Sequence, residues 1–215
     1  MKNNFITPPP LYAIVSFKEI PNYLDFSKSL LRAKVSWIQL RNKGEISDIE
    51  FINIGKEITK FRDEYSPEAK IIINDHLDLV SQIGADGVHL GQTDGSPSIA
   101  REILGPESII GLSTNNIEQV AKAPLDKISY LACGPVYTSQ TKFGHAPPLD
   151  IAGVKEMTGY TNCPFVGIGG ITLDNAYDVF RAGVKSIAMI SELSKHSANL
   201  SQLVNKINQI ATCNL

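Results

Sequence analysis

IIINDHLDLVSQIGADGVHLGQTD, residues 71–94, decides the fold. Ile71, Ile72 and Ile73 form a β-branched run too short for a helix, as in a strand buried on both faces. The run stops at Asn74 and Asp75, polar residues suited to a strand end. Leu77, Leu79, Val80 and Ile83 give a short helical apolar stripe, and Gly84 is placed to close it as a C-cap. Residues 87–90, GVHL, read as the next strand, which runs out into Gly91, Gln92, Thr93 and Asp94. This is a βαβ unit, and its parallel strands leave Asp75 and Asp94 on the same rim of a sheet. Two carboxylates on one rim, with little other charge nearby, point to a hard divalent cation such as magnesium. Either residue alone reads equally well as the N-cap of the helix that follows. The polar cluster at both strand ends favours the cation.

The same alternation extends in both directions. Residues 1–10 are polar or proline-rich and read as a loose lead-in to a single domain over 11–215. Residues 11–17 read as the first strand, and Tyr23, Phe26 and Leu30 follow at helical spacing. Residues 37–40 are a second strand. Phe51, Ile54, Ile58, Phe61 and Tyr65 step by three and four as an amphipathic helix. Beyond residue 94, strands are expected at 108–112, 128–131, 165–168 and 186–190. Helical segments are expected at 99–104, near 117–121, at 151–157, after Thr172 as a cap, and along Leu200, Leu203, Val204, Ile207 and Ile210. Eight strands alternating with helices and no linker predict a (β/α)8 barrel of the α/β class. An open doubly wound sheet is the alternative, but it carries a glycine-rich first turn, and residues 11–20 contain no glycine.

At 215 residues and 43% hydrophobic, the chain can bury one sizeable core. Its net charge of −2 makes neither nucleic acid nor a membrane surface the default partner. No apolar run is long enough to span a bilayer, and the N-terminus lacks the apolar stretch of a signal peptide. Cys133, Cys163 and Cys213 have no paired spacing, as expected of reduced thiols in a cytoplasmic protein.

A barrel places the polar ends of all its strands on one face, which holds the site. Those ends supply Gln39, Arg41 and Lys43, then Asn74 and Asp75, then His89, Gln92 and Asp94, then Ser113. Later strands supply Ser139, Thr141 and Lys142, the pair Gly169–Gly170, and Ile190 with Ser191. Arg41, Lys43 and Lys142, beside a carboxylate-bound metal, suit a diphosphate. Each of them reads equally well, taken alone, as a solvated surface cation. The glycine pair after strand seven is a second anion signal, reinforced by a helix start near Thr172. His89 is as readily a packed core histidine as a substrate contact. No nucleophile–base–acid set and no metal-spaced histidine pair is visible. Two anion sites facing one metal imply two phosphorylated substrates, one of which loses diphosphate.

Seven segments carry a resemblance. QLRNK (39–43), IIIND (71–75), GVHLGQTD (87–94), IIGLST (109–114), GPVYTSQTK (134–142), GIGGI (167–171) and IAMIS (187–191) keep their order along nearly the whole chain, which resembles thiamine phosphate synthases. The resemblance implies a transferase of thiamine biosynthesis. Its substrates would be 4-amino-5-hydroxymethyl-2-methylpyrimidine diphosphate and 4-methyl-5-(2-phosphoethyl)thiazole, its products thiamine phosphate and diphosphate. It implies Mg²⁺ on Asp75 and Asp94, with Arg41, Lys43, Ser113 and Lys142 catalytic. It gives the pyrimidine diphosphate to Gln39, Leu40, Arg41, Asn42, Lys43, Asn74, Ser113 and Lys142. The thiazole phosphate goes to Ser139, Gln140, Thr141, Gly169, Ile190 and Ser191. His89 joins the substrate-binding set. The family mechanism is dissociative and needs no protein nucleophile. A homo-oligomer is left open.

Three positions depart from the family pattern. Asn42 stands where an acid is usual, Thr138-Ser139 where Pro-Thr is usual, and Asp150 where glycine is frequent. Asp150 is expected to weaken binding at the phosphate loop or alter its closure. The rivals are a related thiazole tautomerase-type isomerase, another phosphate-binding barrel enzyme and a non-catalytic binder of thiamine precursors. The retained charged set argues against the first and the last.

Overall fold

The computed structural model describes residues 4–138 and 147–213. Ser139, Gln140, Thr141 and Lys142 lie outside the described residues. Eight strands close into a parallel barrel: β1 (Leu11–Ser16), β2 (Trp37–Arg41), β3 (Lys70–Asn74), β4 (Gly87–Leu90), β5 (Ile109–Thr114), β6 (Tyr130–Cys133), β7 (Phe165–Ile168) and β8 (Ser186–Met189). Each strand pairs with its sequence neighbours, and β8 returns to β1 through Leu11 and Ile187. The helices are α1 (Tyr23–Arg32), α2 (Asp48–Tyr65), α3 (Val80–Ile83), α4 (Pro97–Leu104), α5 (Ile117–Ala121), α6 (Asp150–Tyr160), α7 (Ala176–Arg181), α8 (Ser191–Lys195) and α9 (Leu200–Thr212). Among the described residues no helix is long and apolar enough to cross a membrane.

The period of two along each strand sorts side chains into two shells. Ile71 and Ile73 join Ile38, Leu40, Val88, Leu90 and Ile110 in the shell between strands and helices. Ile72 points the other way, into a smaller inner cluster with Tyr12, Ile14, Trp37, Ile109, Tyr130, Ala132, Val166 and Ala188. The isoleucine run is therefore a strand buried on both faces, as its composition requires. Continuing the inner row toward the strand ends gives Ser16, Gln39, Arg41, Asn74, His89 and Ser113. These residues line the mouth because of their parity in the strand. Leu40 has the opposite parity and is fully buried in the outer shell. Its side chain is thus withdrawn from the mouth, which leaves only its backbone to meet a substrate.

Several local details differ from expectation. The stripe at residues 77–83 is a 3₁₀ turn (Leu77–Leu79) running into α3, and Gly84 does close it at φ +76°. The helix after β7 begins at Ala176, with Thr172 outside it. Asn175 explains the delay: its Oδ1 accepts from Thr172 N–H at 2.8 Å and its Nδ2 donates to Gly170 O at 3.0 Å, tying a turn before the helix can start. The short helix α8 follows β8 directly, where no helix is apparent from periodicity. Asp150 opens α6 with φ +53°, and its Oδ1 accepts from the N–H groups of Ala152 and Gly153 at 2.8 and 3.2 Å. Its carboxylate is committed to the first turn of the helix.

Candidate active site

The acidic rim is built by the chain reversal after β3. Asp75 adopts φ +64°, a left-handed conformation that Asp tolerates better than most residues. Its N–H donates to His89 O at 2.9 Å, and Leu77 N–H donates to Asp75 O at 3.0 Å, so the turn is pinned on both sides. Asp94 comes from the loop after β4, where its Oδ2 accepts from Gly91 N–H at 2.9 Å. Neither acid caps a helix: Ser96 caps α4 and His76 precedes the 3₁₀ turn. The two carboxyls instead meet each other, and Lys43 Nζ pairs with Asp75 Oδ2.

Burial pushes the Asp75 carboxyl above the ordinary carboxylate range. The adjacent Asp94 adds to that push, while Lys43 opposes it. Burial acts on Asp94 in the same upward sense, but Asp75, the Gly91 N–H and the nearby Lys43 and His89 together leave it lowered. Two carboxylates in contact repel unless a proton or a cation is shared between them. No cluster of three or more His, Cys, Asp or Glu side chains is present among the described residues. A two-carboxylate set suits Mg²⁺, which keeps water and phosphate oxygens as its remaining ligands. A cleft of about 420 Å³ opens beside the pair, lined by Asp75, His76, Leu77, Asp78, Asp94 and Ile103.

The neighbouring strand end brings the cations. Arg41 Nη1 donates to Ser16 Oγ at 3.3 Å, and the Ser16 hydroxyl donates to Glu19. Asn42 is 1% exposed, and its side chain is used up locally. Its Oδ1 accepts from the N–H groups of Gly44, Glu45 and Ile46 at 3.3, 3.0 and 3.2 Å, and its Nδ2 donates to Ile46 O at 2.9 Å. Asn42 therefore braces the loop that carries Lys43. Asn74 is 7% exposed, and its Nδ2 has no hydrogen-bond partner among the described residues. An unpaired buried donor costs about 1–3 kcal/mol, so this one is suited to an acceptor brought by a ligand.

Inside the mouth runs a polar chain that sequence reading did not find. Gln39 Nε2 donates to Tyr12 Oη at 3.0 Å, and Tyr12 Oη lies 3.0 Å from Tyr130 Oη. Tyr130 Oη is 2.8 Å from His89 Nδ1, and His89 Nε2 is 2.8 Å from Ser113 Oγ. Burial holds both tyrosine hydroxyls neutral far above their usual range. Trp37 packs edge-on against both rings. Tyr12 and Tyr130 lie 118 positions apart, and only strand parity and barrel closure bring them together. Gly111 makes the contact possible, since a Cβ there would fall 2.2 Å from Tyr130 Cζ and 2.5 Å from His89 Nδ1.

On the far side, Gly169 and Gly170 take φ +100° and +66°. A Cβ on either would clash, at 2.7 Å from Pro135 Cβ and from Tyr137 Cβ respectively. Two successive positive-φ glycines form a turn of the kind that can present backbone N–H groups to an anion. The expected contribution of a helix end is missing, because α7 starts six residues beyond Gly170 and is itself short. Ile190 and Ser191 stand at the junction of β8 and α8, on the same face.

Three comparisons bear on this arrangement. The profile of the family described as thiamine monophosphate synthase matches residues 11–193. A thiamine-phosphate synthase of Caldicellulosiruptor saccharolyticus is 38% identical over 187 residues, covering 86% of this chain and 81% of its own. One from Koribacter versatilis is 35% identical over 191 residues, covering 86% and 89%. Among solved structures, thiamine phosphate pyrophosphorylase from Pyrococcus furiosus superposes with a TM-score of 0.82 at 29% identity, covering 96% of each chain.

Proposed function

The chain belongs to the thiamine monophosphate synthase family, and from that premise we propose that it joins 4-amino-5-hydroxymethyl-2-methylpyrimidine diphosphate to 4-methyl-5-(2-phosphoethyl)thiazole, with Mg²⁺ on Asp75 and Asp94. The observation that carries the reading is the pair of interacting carboxylates beside Lys43, with the buried Asn74 Nδ2 unpartnered among the described residues. A bound Mg²⁺ would neutralise charge on the departing diphosphate. Lys43, held at the rim by the Asn42 brace, and Arg41 would bind the diphosphate oxygens. Asn74 Nδ2 would donate to one of them, which satisfies its buried N–H.

Loss of diphosphate leaves a pyrimidine methylene cation, stabilised by the electron-rich aminopyrimidine ring. The thiazole nitrogen then forms the new C–N bond, and no protein nucleophile takes part. The positive-φ turn at Gly169 and Gly170, with Ile190 and Ser191, would hold the thiazole phosphate by backbone N–H groups. Ser139, Gln140, Thr141 and Lys142 complete the proposed set from outside the described residues.

The test is to mix both substrates with the protein, with and without Mg²⁺, and to assay thiamine phosphate and diphosphate. Magnesium-dependent formation of both is expected. No product, with the thiazole phosphate merely bound or isomerised, would overturn the reading in favour of a binder or a tautomerase-type isomerase.

A further inference from the structure

We propose that Tyr12 and Tyr130 are positioning residues: they fix the direction of the buried hydrogen-bond chain so that His89 carries its proton on Nε2 and the Ser113 hydroxyl is left as a donor toward the mouth. The argument is an accounting of hydrogens. Gln39 presents Nε2 to Tyr12, and an amide N–H can only donate. Tyr12 Oη therefore accepts there and gives its own hydrogen to Tyr130 Oη. Tyr130, having accepted, gives its hydrogen to His89 Nδ1, which must be the unprotonated nitrogen. A neutral imidazole then holds its proton on Nε2 and donates it to Ser113 Oγ. Ser113 accepts that bond and keeps its own hydrogen for another partner. Ser113 is only half-buried at the end of β5, so that partner can come from the mouth.

Reversing the chain would require the Gln39 amide to turn over and present Oε1 to Tyr12 in place of Nε2. Protonating His89 on both nitrogens would leave the Tyr130 hydrogen buried between two donors. The doubly protonated imidazole strands a buried hydroxyl hydrogen, and the orientation of the Gln39 amide selects between the two neutral directions. The raised ionisation of both tyrosines agrees with hydroxyls that keep their hydrogens.

The direction has a chemical meaning. Ser113 and His89 have the spacing of a nucleophile and its base, but a histidine already protonated on Nε2 cannot take the serine proton. Ser113 is thereby kept from nucleophilic chemistry and committed to donating a hydrogen bond to an acceptor of the bound substrate. That role in turnover rests on the transferase reading; the direction of the chain does not.

The experiment is long-range ¹H–¹⁵N correlation NMR on ligand-free, ¹⁵N-histidine-labelled protein, with His89 assigned among the four histidines by its loss in His89→Gln. The wild type should show a protonated Nε2 and a bare Nδ1. Gln39→Glu replaces the donor with an acceptor and should invert the pattern to Nδ1–H. Tyr130→Phe removes the lock and should give a mixture of tautomers. In steady-state assays Tyr130→Phe should lower kcat about tenfold, the size expected for one misaligned hydrogen bond, and leave KM for thiazole phosphate unchanged. An Nδ1–H wild type, or an unchanged spectrum in either variant, would overturn the direction. A wild-type kcat in Tyr130→Phe would overturn the positioning role. Because the spectra need no turnover, they report on the chain even if no thiamine phosphate is made.

Discussion

The two ends of the barrel treat acidic residues in opposite ways. At the N-terminal end of the strands, Asp86 accepts from Arg62 Nη1 at 2.5 Å, from Lys70 Nζ at 3.1 Å and from Ile71 N–H at 2.9 Å. Arg62 in turn donates to Ala69 O and pairs with Asp63. These donors all have acceptors within the fold, and the result is a structural cluster. At the C-terminal end, Asp75 and Asp94 interact with each other and with Lys43, and Asp75 holds a left-handed backbone conformation that favours glycine. The first arrangement is finished without a ligand; the second is short of positive charge. The same side-chain type closes a structural cluster at one end and, under the proposed function, would hold a cation at the other.

That contrast can be broken by experiment. Asp94→Ala should lower magnesium-dependent turnover on the order of 10²–10³-fold, as for loss of a preorganised contact to developing charge. Its melting temperature should change little, because the lost Gly91 N–H bond offsets the relief of crowding at Asp75. Near-normal rates at limiting magnesium would end the metal assignment. Asp86→Ala should do the converse: it strands the largely buried Arg62 and should cost about 3 kcal/mol in urea unfolding. Its kcat per folded molecule should be unchanged, and a kcat loss like that of Asp94→Ala would erase the distinction.

Between the two ends, the tyrosine pair gives a pH signature. Tyr12 and Tyr130 stay protonated in the folded protein, whereas unfolded tyrosines ionise near pH 10. Above that value the native state binds protons that the unfolded chain has released, so stability falls as pH rises. Cys133 and Cys163, both pushed up to about 12 by burial, add to the fall from about pH 8.5. Urea melts at pH 9 and 11 should show the loss, and Tyr130→Phe should flatten it. The smallest effect concerns thiols. Cys213 is exposed, while Cys133 and Cys163 are buried. A thiol reagent should modify one cysteine quickly and the other two only on unfolding; fast reaction of all three would mean that the core opens readily.

The barrel was legible because its signal is local. Ile71, Ile72 and Ile73 announce a doubly buried strand, and eight such units in alternation with helices leave few other folds. The acidic rim was legible for the same reason, since Asp75 and Asp94 sit at the ends of consecutive parallel strands. The tyrosine chain was not, because Tyr12 and Tyr130 meet only after the barrel closes, and a tyrosine in a strand looks like ordinary core. The missing helix start near Thr172 failed differently. Thr172 is a sound cap by type, but its N–H is held by Asn175 Oδ1 in a turn and α7 begins only at Ala176. Leu40 belongs to a contiguous motif, but alternate residues of a strand face opposite sides, so its side chain lies in the outer shell.

Asn42 has one further consequence. An aspartate there could still accept from Gly44, Glu45 and Ile46, but it could not donate to Ile46 O as Nδ2 does. The anchor beneath Lys43 is therefore electrically silent. Salt can screen how strongly the lysine pulls on an anion without altering this uncharged brace, so strength and aim are set by separate parts of the loop.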